Sequence, residues 1–143
     1  MDSYTVEPVS WQEHMDILRS IRTTVFVIEQ NVSQEEEWDG RDEDAVHVLA
    51  KTHDTRPVGT ARLLESGQIG RMAVLREYRN QGIGSAMLRR LLEIARQNNQ
   101  GNLFLNAQID AIGFYSRFGF VEKGEIFMEA GIAHRKMILP GSH

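Results

Sequence analysis

The pattern of apolar and polar residues predicts strands and helices in alternation along the chain. Tyr4–Val9 alternates with a period of two, which is typical of a strand. Ser10 and Glu13 then have the spacing of a capping box, which predicts the start of a helix. Apolar residues recur at helical spacing from there to about Arg22. The acidic segment 34–44 lacks either period and is expected to be irregular.

The rest of the chain predicts six further strands and two further helices. The longer helix follows a pair of glycines and is expected to end at Gly101. The shorter helix is expected to run from a cap at Asp110 to a left-handed stop at Gly119. The resulting order, β-α-(α)-β-β-β-α-β-α-β-β, predicts one α/β domain over residues 1–140, with a mixed β-sheet flanked by helices. The predicted strands are Ala45–Thr52, Val58–Leu64, Gln68–Val74, Leu103–Ala107, Phe120–Phe127 and Ala133–Leu139.

Composition narrows the class of protein and its partners. The 143 residues are 41% hydrophobic and 25% charged, as in ordinary soluble domains. The absence of cysteine excludes disulfides, thiolate metal sites and a cysteine nucleophile, and it is compatible with a reducing cytoplasm. The net charge of −4 argues against a nucleic-acid partner, and no stretch is apolar enough for a membrane span. Met1–Tyr4 does not have the form of a signal peptide, so a cytoplasmic location is expected. Gly141–His143 follows Pro140 and is interpreted as a cloning remnant.

The segment between the predicted strand Gln68–Val74 and the longer helix predicts a cradle for a pyrophosphate group. Gly82 and Gly84 have no Cβ, so a ligand can approach the backbone closely. The N–H groups and the dipole of a helix start favour phosphate oxygens. The segment lacks the Lys-Ser or Lys-Thr pair of a Walker loop and the third glycine of the dinucleotide fingerprint. The predicted cradle consists of Arg79, Asn80, Gln81, Gly82, Ile83, Gly84 and Ser85.

Two motifs, in this order, resemble those of the GNAT superfamily of N-acetyltransferases. The spacing of Arg79, Gly82 and Gly84 after an apolar strand resembles its acetyl-CoA motif. Ala111–Phe120 resembles its second motif, a short helix that ends in Gly-Phe. The resemblance spans essentially the whole chain. Within the superfamily the chain resembles the ElaA/YjcF-like group of small bacterial acetyltransferases, through Val25–Gln30, Trp38–Asp42, Leu105–Gln108 and Glu129–His134.

The resemblance implies a fold and a reaction. The strands Gln68–Val74 and Leu103–Ala107 would form a splayed pair of central parallel strands, with the pantetheine arm of acetyl-CoA in the gap. A backbone N–H near Met72 would stabilise the oxyanion. The implied reaction is direct attack by a primary amine on acetyl-CoA in a ternary complex, without a metal. The acceptor would be a small molecule or a peptide, and homodimers are frequent among relatives. The implied cosubstrate contacts in the gap are Met72, Ala73, Val74 and Asn106.

Tyr115 occupies the tyrosine position of the family and is predicted to protonate the leaving thiolate. A phenol has a reference pKa of ~10, so it carries its proton at neutral pH. The alternative is that Tyr115 only packs within the aromatic run from Phe114 to Phe120.

The residue that accepts the proton of the amine is left open among several candidates. Gln68 stands where several relatives have a glutamate, and an amide cannot accept the proton. Each candidate also has a structural interpretation, as a hydrogen-bonded strand histidine, a turn residue or the end of a helix. A chain of water molecules to solvent is a further alternative. The candidates are Glu29, His47, Glu129 and His134.

Two alternatives concern the acidic run and the activity as a whole. The run Glu35–Asp44 is either a solvated loop or a surface that draws cationic amines to the acceptor mouth. It lacks the calcium-loop pattern, and the histidines lack the spacing of a zinc motif. The chain is an N-acetyltransferase or, alternatively, a catalytically weak or inactive module that binds and senses acyl-CoA.

Overall fold

A seven-stranded mixed sheet forms the frame of the molecule. The computed structural model describes residues 4–141, so the start of the chain and Ser142 and His143 of the expected remnant lie outside the described residues. The strand order is β1-β2-β3-β4-β5-β7-β6, and β4 and β5 run parallel while the other neighbours are antiparallel. The strands are β1 (Tyr4–Val9), β2 (Val46–Thr52), β3 (Pro57–Leu63), β4 (Gln68–Val74), β5 (Phe104–Gln108), β6 (Val121–Glu129) and β7 (Ile132–Ile138).

The helices flank the sheet in the predicted order. Ser10 caps the first helix as expected, since its hydroxyl oxygen accepts a hydrogen bond from the Glu13 N–H at 3.2 Å. Within residues 4–141, no helix is long and apolar enough to cross a bilayer. The helices are α1 (Trp11–Arg22), a π-helix (Thr23–Glu29), α2 (Gln34–Glu37), a 3₁₀ turn (Arg76–Tyr78), α3 (Ile83–Gln97), a 3₁₀ turn (Ile109–Ala111) and α4 (Ile112–Ser116).

Several expected boundaries are wrong, and the acidic segment is not wholly irregular, because Gln34–Glu37 forms α2 with Ser33 as its cap. Helix α3 ends at Gln97 rather than at Gly101, because Asn99 already takes the left-handed conformation (φ 53°). Asp110 lies inside a 3₁₀ turn and makes no cap for α4. Strands β6 and β7 extend further toward each other than expected, because the two residues Ala130 and Gly131, both with positive φ, suffice for the hairpin turn.

The sheet separates two hydrophobic cores. Side chains alternate along β2, so Val48 and Ala50 join the core under α3, while Leu49 joins the core under α1. In the α3 core, Met87 and Leu88 are fully buried, and burial of each such side chain contributes about 1.5–3 kcal/mol. Strand β4 packs into both cores, since Ile69 lies in the core under α3 and Ala73 lies in the core under α1.

The central strands β4 and β5 diverge, which confirms the expected splay. They pair only through Gln68 with Phe104 and Ile69 with Leu105 within the described chain. Strand β5 then continues along β7 as far as Gln108. The edge of β4 beyond Ile69 is therefore open to a gap in the sheet.

Candidate active site

A cavity of about 1130 Å³ follows the gap between β4 and β5. Its walls come from β4 and β5, the start of α3, α4, the π-helix, the acidic segment with the neighbouring part of β3, and the turn between β6 and β7. The carboxyl ends of the parallel strands β4 and β5 thus lie beside the start of α3 and the turn between β6 and β7. Ligands of open α/β sheets bind at the carboxyl ends of the strands, where neighbouring strands separate.

One end of the cavity is the start of α3, where the sequence predicts the phosphate cradle. Gly82 has φ 84°, which glycine adopts without strain and other residues do not. The Ala86 N–H donates to the Gly82 carbonyl at 3.0 Å, so the N–H groups of the preceding helical residues have no acceptor within the helix. A Cβ on Gly84 would stand 3.6 Å from the Phe114 ring. The cradle residues on the cavity wall are Arg79, Asn80, Gly82, Ile83, Gly84 and Ser85.

Gln81 and Arg79 differ from the expected picture of the cradle. Gln81 is exposed, does not line the cavity, and donates from its amide to the Glu77 carbonyl at 3.5 Å. The Arg79 guanidinium donates to both carboxylate oxygens of Glu29, at 2.6 and 2.8 Å, and to the Val74 carbonyl at 2.8 Å. This hydrogen bonding by Arg79 lowers the pKa of Glu29. The charge of Arg79 is therefore offset within the protein, and Glu29 is held as a paired carboxylate.

The middle of the cavity brings Tyr115 to β4. The Tyr115 hydroxyl lies 3.9 Å from the Met72 sulfur. Its ring packs edge-on against Phe114 and Phe120, with centroid distances of 5.0 and 6.2 Å. Burial raises the pKa of Tyr115 to about 12, so the phenol keeps its proton at neutral pH. The aromatic packing orients Tyr115 and does not exclude the predicted acid role. The other residues of the gap, Met72, Ala73, Val74 and Asn106, also line the cavity.

The far end of the cavity holds Glu129 and His134. Glu129 is exposed at the end of β6, and His134 is 7% exposed. The His134 Nδ1 lies 2.7 Å from the Ile132 carbonyl oxygen. Because a carbonyl only accepts, we assign the proton to Nδ1, and the neutral ring then carries an unprotonated Nε2. The ring stacks on Phe127 at a centroid distance of 5.9 Å.

His47 lies away from the cavity, in the core under α1. It is 1% exposed, stacks on Trp11 at 5.0 Å, and donates from Nε2 to the Asp42 carbonyl at 2.8 Å. Burial lowers the pKa of His47. The cause is the alternation of β2, which turns His47 to the same face as Leu49 and away from the gap. The structure thus places it as a hydrogen-bonded strand histidine outside the cavity, so the expectation that it could be the base is wrong.

The acidic segment is partly buried, which neither sequence interpretation anticipated. Arg22 donates to Glu37 at 2.9 Å and to Asp42 at 2.7 Å, and Arg62 donates to Asp42 at 2.9 Å. Glu37 is 1% exposed and Asp42 is 6% exposed. The available sequence signal was Arg22 itself, which lies four residues after Leu18 on the apolar face of α1. A charge at such a position requires a buried partner.

Sequence reasoning also missed a contact across the gap. The Gln108 side-chain amide donates to the side-chain oxygen of Gln30 at 3.0 Å, and both residues line the cavity. The contact joins the end of the π-helix to the end of β5. Both glutamines close motifs that carry the family resemblance, but nothing in the local pattern pairs residues 78 positions apart.

Comparison with known proteins gives the family. The model of the acetyltransferase (GNAT) domain matches residues 12–140, and the chain belongs to this family. The uncharacterized N-acetyltransferase YjcF of Bacillus subtilis is 34% identical over 122 residues, which cover 82% of this chain and 86% of YjcF. The crystal structure of Escherichia coli ElaA superposes with a TM-score of 0.83 and 29% identity, over 94% of this chain and 98% of ElaA.

A second solved structure has the same architecture. An acyl-CoA N-acyltransferase from Pseudomonas aeruginosa superposes with a TM-score of 0.85 and 30% identity, over 95% of this chain and 99% of that chain. The predicted GNAT membership, the resemblance to the ElaA/YjcF-like group and the single-domain mixed-sheet fold are confirmed. Members of this family use an acyl-CoA, and membership supports an N-acyltransferase activity for this chain.

Proposed function

We propose that this protein transfers the acetyl group of acetyl-CoA to a primary amine by direct attack in a ternary complex. The observation that carries the proposal is one continuous cavity with three parts. It joins a helix start suited to phosphate, the open edge of β4 beside the Tyr115 hydroxyl, and a far end with Glu129 and His134. The acceptor is a small-molecule or peptide amine, and the absence of cysteine suits a reducing cytoplasm.

The donor half fits acyl-CoA through its backbone. The pyrophosphate would accept hydrogen bonds from the first N–H groups of α3, where Gly82 and Gly84 keep side chains out of the way. The pantetheine arm would lie along the open edge of β4, between Met72 and Val74 on one side and Asn106 on the other. Strand edges pair readily with extended amide-containing chains, because their N–H and C=O groups are unpaired.

The chemistry follows from what each group can donate or accept. The amine nitrogen attacks the carbonyl carbon of the thioester. The carbonyl oxygen then becomes negative and accepts a hydrogen bond from a backbone N–H near Met72. The carbon–sulfur bond then breaks. The sulfur leaves as a thiolate and takes the proton of the Tyr115 hydroxyl, so the products are the amide and CoA. The proton that the amine gives up to the base passes to solvent, and the Tyr115 oxygen regains a proton from solvent. A protonated phenol beside the open edge of β4 is suited to this step.

The acceptor half supplies the base and the charge for the amine. Glu129 is an exposed carboxylate at the cavity rim and would bind an ammonium group. The unprotonated Nε2 of His134 would take a proton from the amine, directly or through water. The hydrogen bond to the Ile132 carbonyl favours this tautomer.

The test is the release of CoA thiol from acetyl-CoA in the presence of a panel of amines. The panel should contain peptide amino termini, lysine side chains, polyamines, amino sugars and aminoglycosides. We expect saturable release with at least one amine, together with acetylation of that amine detected by mass spectrometry. CoA binding without release for every amine would instead support a module that only senses acyl-CoA.

A further inference from the structure

We propose that Arg71 is a positioning residue: its side chain, bound by the acidic segment, holds the bulge in β4 that carries the backbone N–H near Met72. The inference rests on the proposed function for the role of that N–H. Its structural part, that Arg71 and its partners maintain the bulge, depends only on the geometry of the fold.

The bulge lies where β3 and β4 lose their regular register. Thr60 pairs with Ala73, and Arg62 pairs with Gly70. Two residues of β4, Arg71 and Met72, therefore oppose the single residue Ala61 of β3. One extra residue in a strand interrupts the ladder and turns backbone groups away from it. The opposite edge of β4 is already open at this point, because its pairing with β5 stops at Ile69.

Arg71 holds a backbone conformation that arginine rarely adopts. Its φ is 50°, in the left-handed region that glycine usually supplies in bulges of this kind. Such a conformation persists in a residue with a Cβ only when surrounding contacts enforce it. The enforcing contacts must come from the Arg71 side chain or from the strands on either side.

The side chain of Arg71 is bound by the acidic segment. Its Nε donates to the Glu37 carboxylate at 2.8 Å and to the Glu37 carbonyl at 3.3 Å. Its Nη2 donates to the carbonyls of Glu36 and Glu37, each at 3.1 Å, and to the Asp39 carboxylate at 3.3 Å. Five hydrogen bonds thus tie one guanidinium to three residues of the acidic segment, Glu36, Glu37 and Asp39. With both Nε and Nη2 engaged, the planar guanidinium restrains the side chain that joins it to the bulge.

The segment that binds Arg71 is itself anchored. Arg22 holds Glu37 from α1, and Arg62 holds Asp39 from β3 at 2.5 Å. Asp42 forms ion pairs with both of these arginines, at 2.7 Å from Arg22 and 2.9 Å from Arg62. Three carboxylates and three arginines therefore form one connected network between α1, the acidic segment, β3 and the bulge. A network of this kind keeps its geometry because each member restrains the next.

The network also assigns a role to the acidic run. Its buried carboxylates are neutralised by arginines and contribute little to a field that would attract amines. We infer that the segment braces β4. An error of about 1 Å in the position of a group that acts on the transition state can lower the rate about 10²-fold.

The experiment compares Arg71→Ala with Arg71→Gly. Both variants lose the brace, which is the set of hydrogen bonds between the Arg71 side chain and the acidic segment. Glycine adopts φ 50° without strain, whereas alanine is strained in that conformation. We expect kcat to fall roughly 10²-fold in Arg71→Ala and about tenfold or less in Arg71→Gly, with the KM for acetyl-CoA nearly unchanged in both. Thr55→Gly is the matched control, because Thr55 has φ 70° in an exposed turn outside the cavity. It should leave kcat unchanged.

A second variant keeps the inference testable if Arg71→Ala does not fold. Asp39 is 26% exposed at its side chain, so Asp39→Asn weakens the brace at its accessible partner. It should lower kcat a few-fold in the parent and leave kcat unchanged in the Arg71→Gly background. Equal effects in the two backgrounds, or equal kcat in the alanine and glycine variants, would contradict a brace that acts through the bulge.

Crystal structures of the variants separate this inference from the proposed function. The bulge should persist in Arg71→Gly and straighten in Arg71→Ala, whether or not any amine is acetylated. A bulge unchanged in Arg71→Ala would overturn the inference even with full enzymatic activity in the parent. A parent protein that acetylates none of the amines would overturn the proposed function and leave the structural comparison to decide whether Arg71 holds the bulge.

Discussion

The two ends of the cavity are built from different parts of the polypeptide. The end proposed for the acyl-CoA donor, called the donor end, consists of backbone groups from one short segment, residues 79–85, at the start of α3. The end proposed for the amine, called the acceptor end, consists of side chains from the π-helix, the end of β5 and the turn before His134. Contacts at this end join positions far apart in sequence, as Gln30 and Gln108 do.

This difference separates what is general in the fold from what is particular to this chain. Backbone N–H groups bind any phosphate and tolerate variation at the exposed positions around them, provided that the glycines remain. Side chains at the acceptor end can change with little effect on the fold. We therefore expect donor-end substitutions to act on CoA binding, and acceptor-end substitutions to act on the amine and on turnover.

The largest expected effect is the loss of CoA binding in Gly84→Val. The added side chain would occupy the space between Phe114 and Met72, where the ligand must approach the backbone. Calorimetry should detect no binding. Gly113→Val, in helix α4, is the matched control, because a Cβ added there would have no atom within 4 Å. Arg79→Ala should weaken binding far less, because Glu29 already engages the guanidinium. Unchanged affinity in Gly84→Val would contradict a backbone cradle.

Tyr115→Phe tests the junction between the two ends. Loss of the hydroxyl should lower kcat by roughly 10²–10⁴-fold, as is typical for a general acid, with the affinity for acetyl-CoA little changed. Burial raises the pKa of Tyr115 to about 12, so the phenol should remain protonated throughout the neutral range. Tyr78→Phe, which removes a hydroxyl that contacts Arg56, serves as the control and should leave kcat unchanged. A kcat within a few-fold of the parent would show that Tyr115 only packs and does not protonate the thiolate.

Substitutions at the acceptor end should affect the amine selectively. Glu129→Gln should raise the KM for the amine roughly tenfold, the effect expected when one charged hydrogen bond is lost, and leave CoA binding intact. Glu125→Gln, on the same strand but outside the cavity, is the control. His134→Ala should lower turnover, because the proposed proton acceptor is lost. Parental kinetics in both variants would favour a water chain as the base.

The smallest expected effect is on stability at low pH. Burial alone would raise the pKa of Asp39, but hydrogen bonds and charge from Arg62 outweigh it and lower the pKa to about 2. The unfolded chain has an aspartate pKa of about 3.9. The stabilisation is therefore complete above about pH 4 and is lost as the pH falls through about 2. Urea unfolding of Asp39→Asn should show a weaker pH dependence in this window, whereas Glu35→Gln should match the parent.

The same division explains which features could be predicted from the sequence. The glycine loop and the Ser10 cap are local patterns, so the positions of the donor end and of α1 follow from spacing alone. The orientation of His47 depends on which face of β2 meets α1, and the pairing of Arg79 with Glu29 joins residues 50 positions apart. The burial of Glu37 likewise depends on Arg22 and Arg71, which come from separate elements. These features follow from tertiary packing, on which local periodicity carries no information.

The most direct test of the account is a crystal structure of the protein with CoA. We predict that the pyrophosphate accepts hydrogen bonds from the first N–H groups of α3, that the pantetheine arm lies along β4 from Met72 to Val74, and that the sulfur lies beside the Tyr115 hydroxyl. A CoA molecule bound outside the gap between β4 and β5, or one whose sulfur is remote from Tyr115, would contradict the account.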